Sequence, residues 1–456
     1  MDVLPALESL PDELEQFASD LDACVKTSPS RLHLRTYLAG QIGERPRKSV
    51  EPIALAAGVP PRTLQGFLAS HRWDEQAMRG CLQTRIARSH GGPDAIALVD
   101  ETGQPKKGDR TPGVKRQHCG ATGKVDNCLV TVHLGYVIGD FHALLAGDPF
   151  VPEDWLADEE RCREAGIPKG LAFRTKWQIA LDQLIEATDR GVKLRWLCAD
   201  EYYGRSHEFR LGVADLDIRY VVEVPCNLTG HVAGRDLAEP ARRLDALWAR
   251  GGPSWQRWHV KDTTKGPAVW EARAVRFRVT EEKIPGEEQW LLIARNSLDT
   301  DEIKYFLSNA PADTPISTLL HVAFCRWHVE RLFQESKTEV GFDHYEGRTW
   351  LGWVRHLVLT TASILFLAEQ RKRLRSLRGE AGDFTLEQVK LATETQFDFG
   401  VPAAERRRRL ARTLEIIRYH QKRNATARTS HTKTRIRLLS AQGIDLAALE
   451  RCGLAL

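Results

Sequence analysis

The residues best suited to chemistry are three acids far apart in the chain: Asp100, Asp200 and Glu330. Asp100 ends the apolar run Ala95-Ile96-Ala97-Leu98-Val99, and Asp200 ends a second such run at residues 194–199. Short apolar runs of this kind fit strands covered on both faces. Acids at the exits of neighbouring strands can meet in space while lying far apart in sequence. Glu330 sits in the stretch 325–337, where Arg326, Glu330, Phe333 and Lys337 recur at i, i+4, i+7 and i+11. In a helix over 316–340 these four share one narrow face, beside an apolar stripe of Val322, Val329, Leu332, Phe333 and Val340. Three converging carboxylates repel one another and are stable together only with cations between them. All-oxygen ligands favour Mg2+, with Mn2+ as a substitute. Two such ions about 4 Å apart form a phosphoryl-transfer device, and Arg326 and Lys337 would then hold phosphates beside them. Each feature alone has a plainer reading. An acid after a strand is often a turn residue or helix cap, and Arg and Glu one turn apart are often a surface ion pair. The combination is what carries information.

The rest of the composition limits what those acids could serve. The chain has 456 residues, 42% hydrophobic and 28% charged, as expected of a globular protein with a true core and two to four domains. Net charge is only +4, yet residues 405–437 hold twelve Lys or Arg against Glu405 and Glu415. That segment is +10 (12 − 2) and the remainder −6 (4 − 10), an asymmetry that points to a polyanion. Its first cluster is Arg406, Arg407, Arg408 and Arg409. The nine cysteines are scattered without a C-x-x-C pair, so neither a zinc ribbon nor a disulfide scaffold is indicated. The N-terminus lacks the basic-then-apolar order of a signal peptide, and the apolar run 357–368 is too short to span a bilayer. The expected setting is a reducing cytoplasm with no membrane partner. No Ser-His-Asp or Cys-His arrangement stands out, and no small-molecule organic cofactor is expected.

Along the chain, residues 1–90 read as helical. Ser49 to a Gly58-Val59-Pro60-Pro61 turn and on to His71 fits a helix-turn-helix or an ordinary helical hairpin. In the first reading Arg62, Thr63, Gln65 and His71 face a DNA groove. Strands are expected at 95–99, 128–136, 140–146, 194–199 and 218–224, with helices at 176–190 and 207–213. From 236 the chain becomes rich in Trp (Trp248, Trp255, Trp258, Trp270, Trp290) and alternates at strand period, as an inserted β-rich region would. The helix over 316–340 returns to the first sheet, and an apolar helix at 351–372 follows. Past Gly379-Glu380-Ala381-Gly382 comes the basic helical tail. The expected domains are 1–90 (helical, DNA-binding), 91–235 (first part of the core), 236–312 (insertion), 313–372 (second part, with the glutamate helix) and 373–456 (basic, helical).

These residues resemble a known family. Arg326, Glu330 and Lys337 are similar to the Tyr-Arg-Glu-Lys signature of DDE transposases from cut-and-paste bacterial insertion sequences. Trp327, Val99-Asp100-Glu101-Thr102-Gly103, Lys106-Lys107-Gly108, and Asp200 with Tyr203-Gly204 match the surrounding text. The resemblance spans residues 48–348. It implies an α/β, ribonuclease-H-like mixed sheet with helices, interrupted by a β-rich insertion before the glutamate helix. It also implies catalytic and metal-binding roles for Asp100, Asp200 and Glu330, with two Mg2+ ions per active site. Double-stranded DNA, as transposon ends and target, is the implied partner, bound by a homodimer at the bacterial nucleoid. Arg326, Lys337, Trp327, Lys106, Lys107, Arg62 and the arginines at 406–409 would contact it. Trp290 is the insertion aromatic expected to stack on a flipped base, although core packing is the commoner use of such a Trp. One position departs from the signature, since Ala323, followed by Phe324, stands where its Tyr belongs. Two other functions fit the same core: a domesticated DNA-binding regulator without cleavage, and a metal nuclease without strand transfer.

Overall fold

A computed structural model of the chain describes residues 3–237, 239–247, 253–281, 284–377 and 384–454. Six helices come first, α1 to α6 (Val3–Glu8, Leu10–Ser19, Ser28–Ile42, Val50–Ala56, Pro61–Ala69, Glu75–His90). Strands β1 to β4 follow (Ile96–Pro105, Lys115–Cys119, Lys124–Ile138, Phe141–Phe150), then α7 to α9 (Glu153–Leu156, Glu159–Ala165, Lys176–Asp189). Next are β5 (Trp196–Ala199), α10 and α11 (Glu201–Gly204, His207–Asp215) and β6 (Arg219–Val224). The β-rich stretch supplies β7 to β12 (Thr229–Val232, Arg242–Arg243, Gln256–Thr263, Gly266–Glu281, Ile284–Asn296, Asp299–Ser308). The chain ends with α12 to α16 (Ile316–Phe324, Trp327–Val340, Trp350–Ser376, Leu386–Glu394, Ala403–Ala441). These elements form two compact units. One holds Met1–Gly92, Asp100–Lys193 and His328–Arg418, and the other holds Pro93–Val99, Leu194–Trp327 and Tyr419–Leu456.

In the first unit β3 pairs antiparallel with β2 and β4 and lies beside β1. Helix α9 packs on β3 and β4 through Ile179, Ala180, Gln183, Leu184 and Ala187, the i, i+4, i+8 rows of a buried face. Thr175 and Gln178 close a capping box at its start, and Gly191 adopts φ +87° just beyond its end. Helix α14 is buried on nearly every side and packs on β4, α3, α5 and α6. By length and composition it could cross a membrane, but 94% of its most apolar stretch is buried, as in a core helix. Arg79 of α6 grips Asp148 of β4 with two hydrogen bonds (2.8 and 3.0 Å), and Gln183 adds a third to the same carboxylate (2.7 Å). Burial opposes the charge on Asp148, but Arg79 holds its carboxyl below the usual range.

In the second unit residues 96–99 of β1 pair parallel with β5, and β5 pairs parallel with β6. Strand β12 then adds antiparallel to β6, followed by β11 and β10, with β7 and β9 on β10. The tryptophan-rich stretch is therefore β-structured, as its alternation predicts. Trp258 and Trp270 are core residues, and Trp270 packs on Phe324 of α12 with ring centres 4.6 Å apart. Trp248 and the Gly379–Gly382 boundary lie outside the described residues.

The fold is mixed α/β, as expected of a ribonuclease-H-like core with a β-rich extension. Three details differ from the sequence reading, the first at Asp100: β1 continues to Pro105, so this acid lies within the strand and not at its exit. The helix predicted over 316–340 is two helices: α12 ends at Phe324, Cys325 and Arg326 form a turn, and α13 starts at Trp327. The N–H of Cys325 bonds Val322 three residues back, tightening the last turn of α12. The narrow face therefore holds from Glu330 to Lys337 and leaves Arg326 at the break. Strand β2 was not anticipated, because its Lys115-Arg116-Gln117-His118 sequence is polar and mostly exposed and gives no apolar alternation.

Candidate active site

Two of the three acids belong to the first unit. Asp100 follows the last buried residue of the apolar run of β1, is half-buried, and accepts the Glu101 N–H at 2.8 Å. Glu330 is exposed in the first turn of α13. The helix is fixed through its other faces. Val329, Leu332, Phe333 and Val340 are buried, and Phe333 meets the His133 ring of β3 edge-on at 5.2 Å. Lys337 donates from Nζ to Thr102 Oγ1 at 2.8 Å, two residues beyond Asp100 on β1. Burial pushes the Lys337 ammonium below its usual pKa. Lys106 donates to the Tyr345 carbonyl and is pushed down to about 8, mainly by burial, whereas Lys107 is exposed.

Beneath α13 lies a polar cluster that the sequence reading missed. Glu335, 4% exposed, accepts from Arg331 Nε at 2.7 Å and from His142 Nε2 at 3.1 Å. His142 Nδ1 faces Arg371 Nη2 at 3.2 Å. Arg371 has only N–H donors, and its Nη1 also lies 3.3 Å from His142 Nε2, so at least one ring nitrogen accepts and the imidazole is neutral. Its lowered pKa, set first by burial, agrees. Burial disfavours the Glu335 charge, but His142 and Arg331 outweigh it and keep the carboxyl below the usual range. The one local signal for this cluster is Arg331 four residues before Glu335, a spacing shared with ordinary surface ion pairs.

The third acid, Asp200, belongs to the second unit. It follows β5 and caps α10, accepting the N–H groups of Tyr202 and Tyr203 at 3.0 and 3.5 Å. Val99 and Ala199 are partners on adjacent parallel strands, and each is followed at once by an aspartate. Ala323, at the signature Tyr position, is buried in the last turn of α12. Trp327 is 40% exposed, with the Lys261 ammonium 4.9 Å from its ring centre. Trp290 is half-buried on β11, donates Nε1 to the Pro311 carbonyl at 2.9 Å and lies under the Arg276 guanidinium.

The other expected DNA contacts are dispersed. Helices α4 and α5 do form helix, turn, helix, with Gly58 at φ +69° and Pro61 in the first turn of α5. Arg62 and Gln65 are exposed there. His71 is not available to a groove, since Ser30 Oγ lies 3.1 Å from its Nδ1 and Phe67 packs on its ring. At the start of α16, Arg407 pairs with Glu8, Arg408 with Glu405, and Arg409 with both Glu405 and Asp398. Arg406 donates to the Gln396 carbonyl at 3.4 Å.

Comparison with known proteins decides the family. Residues 20–282, more than half of the chain, match the family described as DDE superfamily endonuclease. The chain belongs to this family. The matched stretch of this DDE endonuclease includes Asp100 and Asp200 and ends before Glu330. It is also 26% identical over 313 residues to a protein of Microchaete diplosiphon described as "Probable transposase for insertion sequence element IS701". That similarity covers 67% of this chain and 74% of the relative. Among the described residues, no group of three or more His, Cys, Asp or Glu side chains is placed to hold a metal ion. The donor chemistry of Asp100, Asp200 and Glu330 nonetheless fits a hard divalent cation, since all are carboxylates and none is fully buried.

Proposed function

We propose that this DDE endonuclease is an insertion-sequence transposase. It binds the terminal inverted repeats of its element, cleaves the DNA there and joins the 3′ ends to a target. The observation that carries the reading is the pair of aspartates directly beyond the register partners Val99 and Ala199, within a chain similar to a described transposase. Asp100, Asp200 and Glu330 would hold two Mg2+ ions, with Mn2+ able to substitute. When bound, such ions make a water or 3′-hydroxyl a better nucleophile and stabilise the leaving oxygen.

The protein's own groups position the DNA. Lys337, steadied by Thr102, and Arg326, at the turn before α13, each place a cation near the helix that carries Glu330. Arg offers a phosphate two parallel donors, and Lys a point charge. Arg62 on α5 would face a groove, and Trp327, Lys106, Lys107 and the arginines at 406–409 would line the DNA path. Trp290 would stack on an unpaired base after releasing Pro311. Two ends must be held together, so the working form is a homodimer, active at the nucleoid in the cytoplasm. A regulator that does not cleave has no need of all three acids. The test is to incubate end-bearing duplex with Mg2+ and either the wild-type protein or Glu330→Gln. Cleavage by the first and none by the second is expected, and equal cleavage by both would overturn the assignment.

A further inference from the structure

The basic tail divides into two parts with different environments. Its first arginines are occupied: Arg407, Arg408 and Arg409 pair with carboxylates, and Arg406 donates to a backbone carbonyl. From residue 418 to 437 there is no acid at all. Lys422, Arg423, Lys433 and Arg437 are exposed, and among the described residues none of them has a carboxylate partner.

Their spacing is what gives this stretch a face. Lys422, Thr426, Ser430, Lys433 and Arg437 fall at i, i+4, i+8, i+11 and i+15, one stripe along the helix. At 1.5 Å per residue the stripe is about 22 Å long. Thr426 and Ser430 are short, so the Lys and Arg heads stand clear of the surface between them. Tyr419 begins the same face, with the Arg423 guanidinium 5.7 Å from its ring centre. The helix is anchored from another side. Leu439 is buried with Val269 and Ile444, and Arg435 donates Nε to the Pro267 carbonyl at 3.3 Å. By helical geometry the anchoring residues Arg435 and Leu439 lie roughly 150° around the axis from the cations of the stripe. The cations therefore face away from the sheet that holds the helix.

From this arrangement we infer that the second half of α16 is a sequence-independent binding surface for the phosphate backbone of double-stranded DNA, with Lys422, Lys433 and Arg437 as its contacts. The inference rests on the DNA reading above and names where the tail engages. Lys422 and Lys433 are about 16 Å apart along the axis, enough to reach phosphates on either side of a major groove about 12 Å wide. Gln421 and Asn424, whose amides pair bidentately with adenine, lie off the stripe, and the long Lys and Arg heads spaced along it match successive phosphates, so the contacts position without specifying. An acidic polymer suits a row of unneutralised cations, whereas a second copy of this chain would bring the same positive stripe to meet it.

The test compares the full-length protein with the triple variant Lys422→Ala, Lys433→Ala, Arg437→Ala, using two duplexes of unrelated sequence over a range of salt. Circular dichroism should be unchanged, because the substitutions are exposed and alanine favours helix. Each backbone contact contributes about 0.9 to the slope of log affinity against log salt, so the triple variant should lose about 2.7 on both duplexes. A slope equal to wild type, or a loss confined to one duplex, overturns the inference while leaving the DNA reading intact. A variant changed only in self-association shows that the stripe contacts a second copy, which also overturns it. If the wild-type protein binds neither duplex, the DNA reading and this inference fall together.

Discussion

Replacing Glu335 with Gln tests whether the cluster under α13 holds the glutamate helix in place. Both carboxylate oxygens are used, Oε1 by Arg331 and Oε2 by His142. A Gln amide keeps one acceptor and turns an NH2 donor toward the other partner, so one donor faces another. The change also removes the acid nearest His142 and Arg371, which is itself only 5% exposed. Breaking a buried ion cluster by removing one partner costs about 3–5 kcal/mol. Arg331 is 39% exposed, so water offsets part of its loss and a cost near the lower end, about 3 kcal/mol, is expected. Thermal unfolding should show a clear drop in Tm for Glu335→Gln and none for Gln334→Ala, an exposed neighbour on the same helix. End cleavage below the transition should also fall, because Glu330 stands only five residues before Glu335 on α13. A variant as stable and active as wild type would refute the view that this cluster positions the helix.

Other outcomes follow from the same packing. His356 is fully buried, with Nδ1 2.9 Å from the Tyr37 hydroxyl and Nε2 2.9 Å from the Phe342 carbonyl. Burial lowers its pKa from 6.5 to about 4, so the unfolded chain binds an extra proton between those values. Stability should be fully present above pH 6.5 and decline by about 3 kcal/mol as pH falls toward 4, with a shallower decline in His356→Gln measured by denaturant unfolding. Gly204, the last residue of α10, lies against β6, where an added Cβ would meet the Glu223 carbonyl. Gly204→Ala should therefore displace the short helix that Asp200 caps, lowering end cleavage more than it lowers Tm. Unchanged cleavage would separate Asp200 from its cap.

The elements that carry the three acids were legible because they rest on local patterns. The runs ending at Asp100 and Asp200 are apolar without interruption, and buried parallel strands need that composition. Val329, Leu332, Phe333 and Val340 fixed the buried side of α13 by period alone. The break at Cys325 and Arg326 was not legible, because neither Gly nor Pro marks it in the sequence. His71 looked available just past the end of α5, but its partner Ser30 lies 41 residues upstream, beyond any local pattern. The same is true of Glu335, whose partner His142 comes from β4. The charge run at 405–437 announced an acidic partner. Which of its cations are already neutralised depended on Glu8 and Asp398, which charge counting cannot pair with them.

The central claim is that three acids remote in sequence serve one set of metal ions. Its most direct measurement is the number of Mn2+ ions bound per chain in the complex with end DNA, for wild type and for Asp100→Asn, Asp200→Asn and Glu330→Gln. Two ions in the wild type and fewer in every one of the three variants is the predicted result. A variant at any of these positions that still binds both ions contradicts the claim.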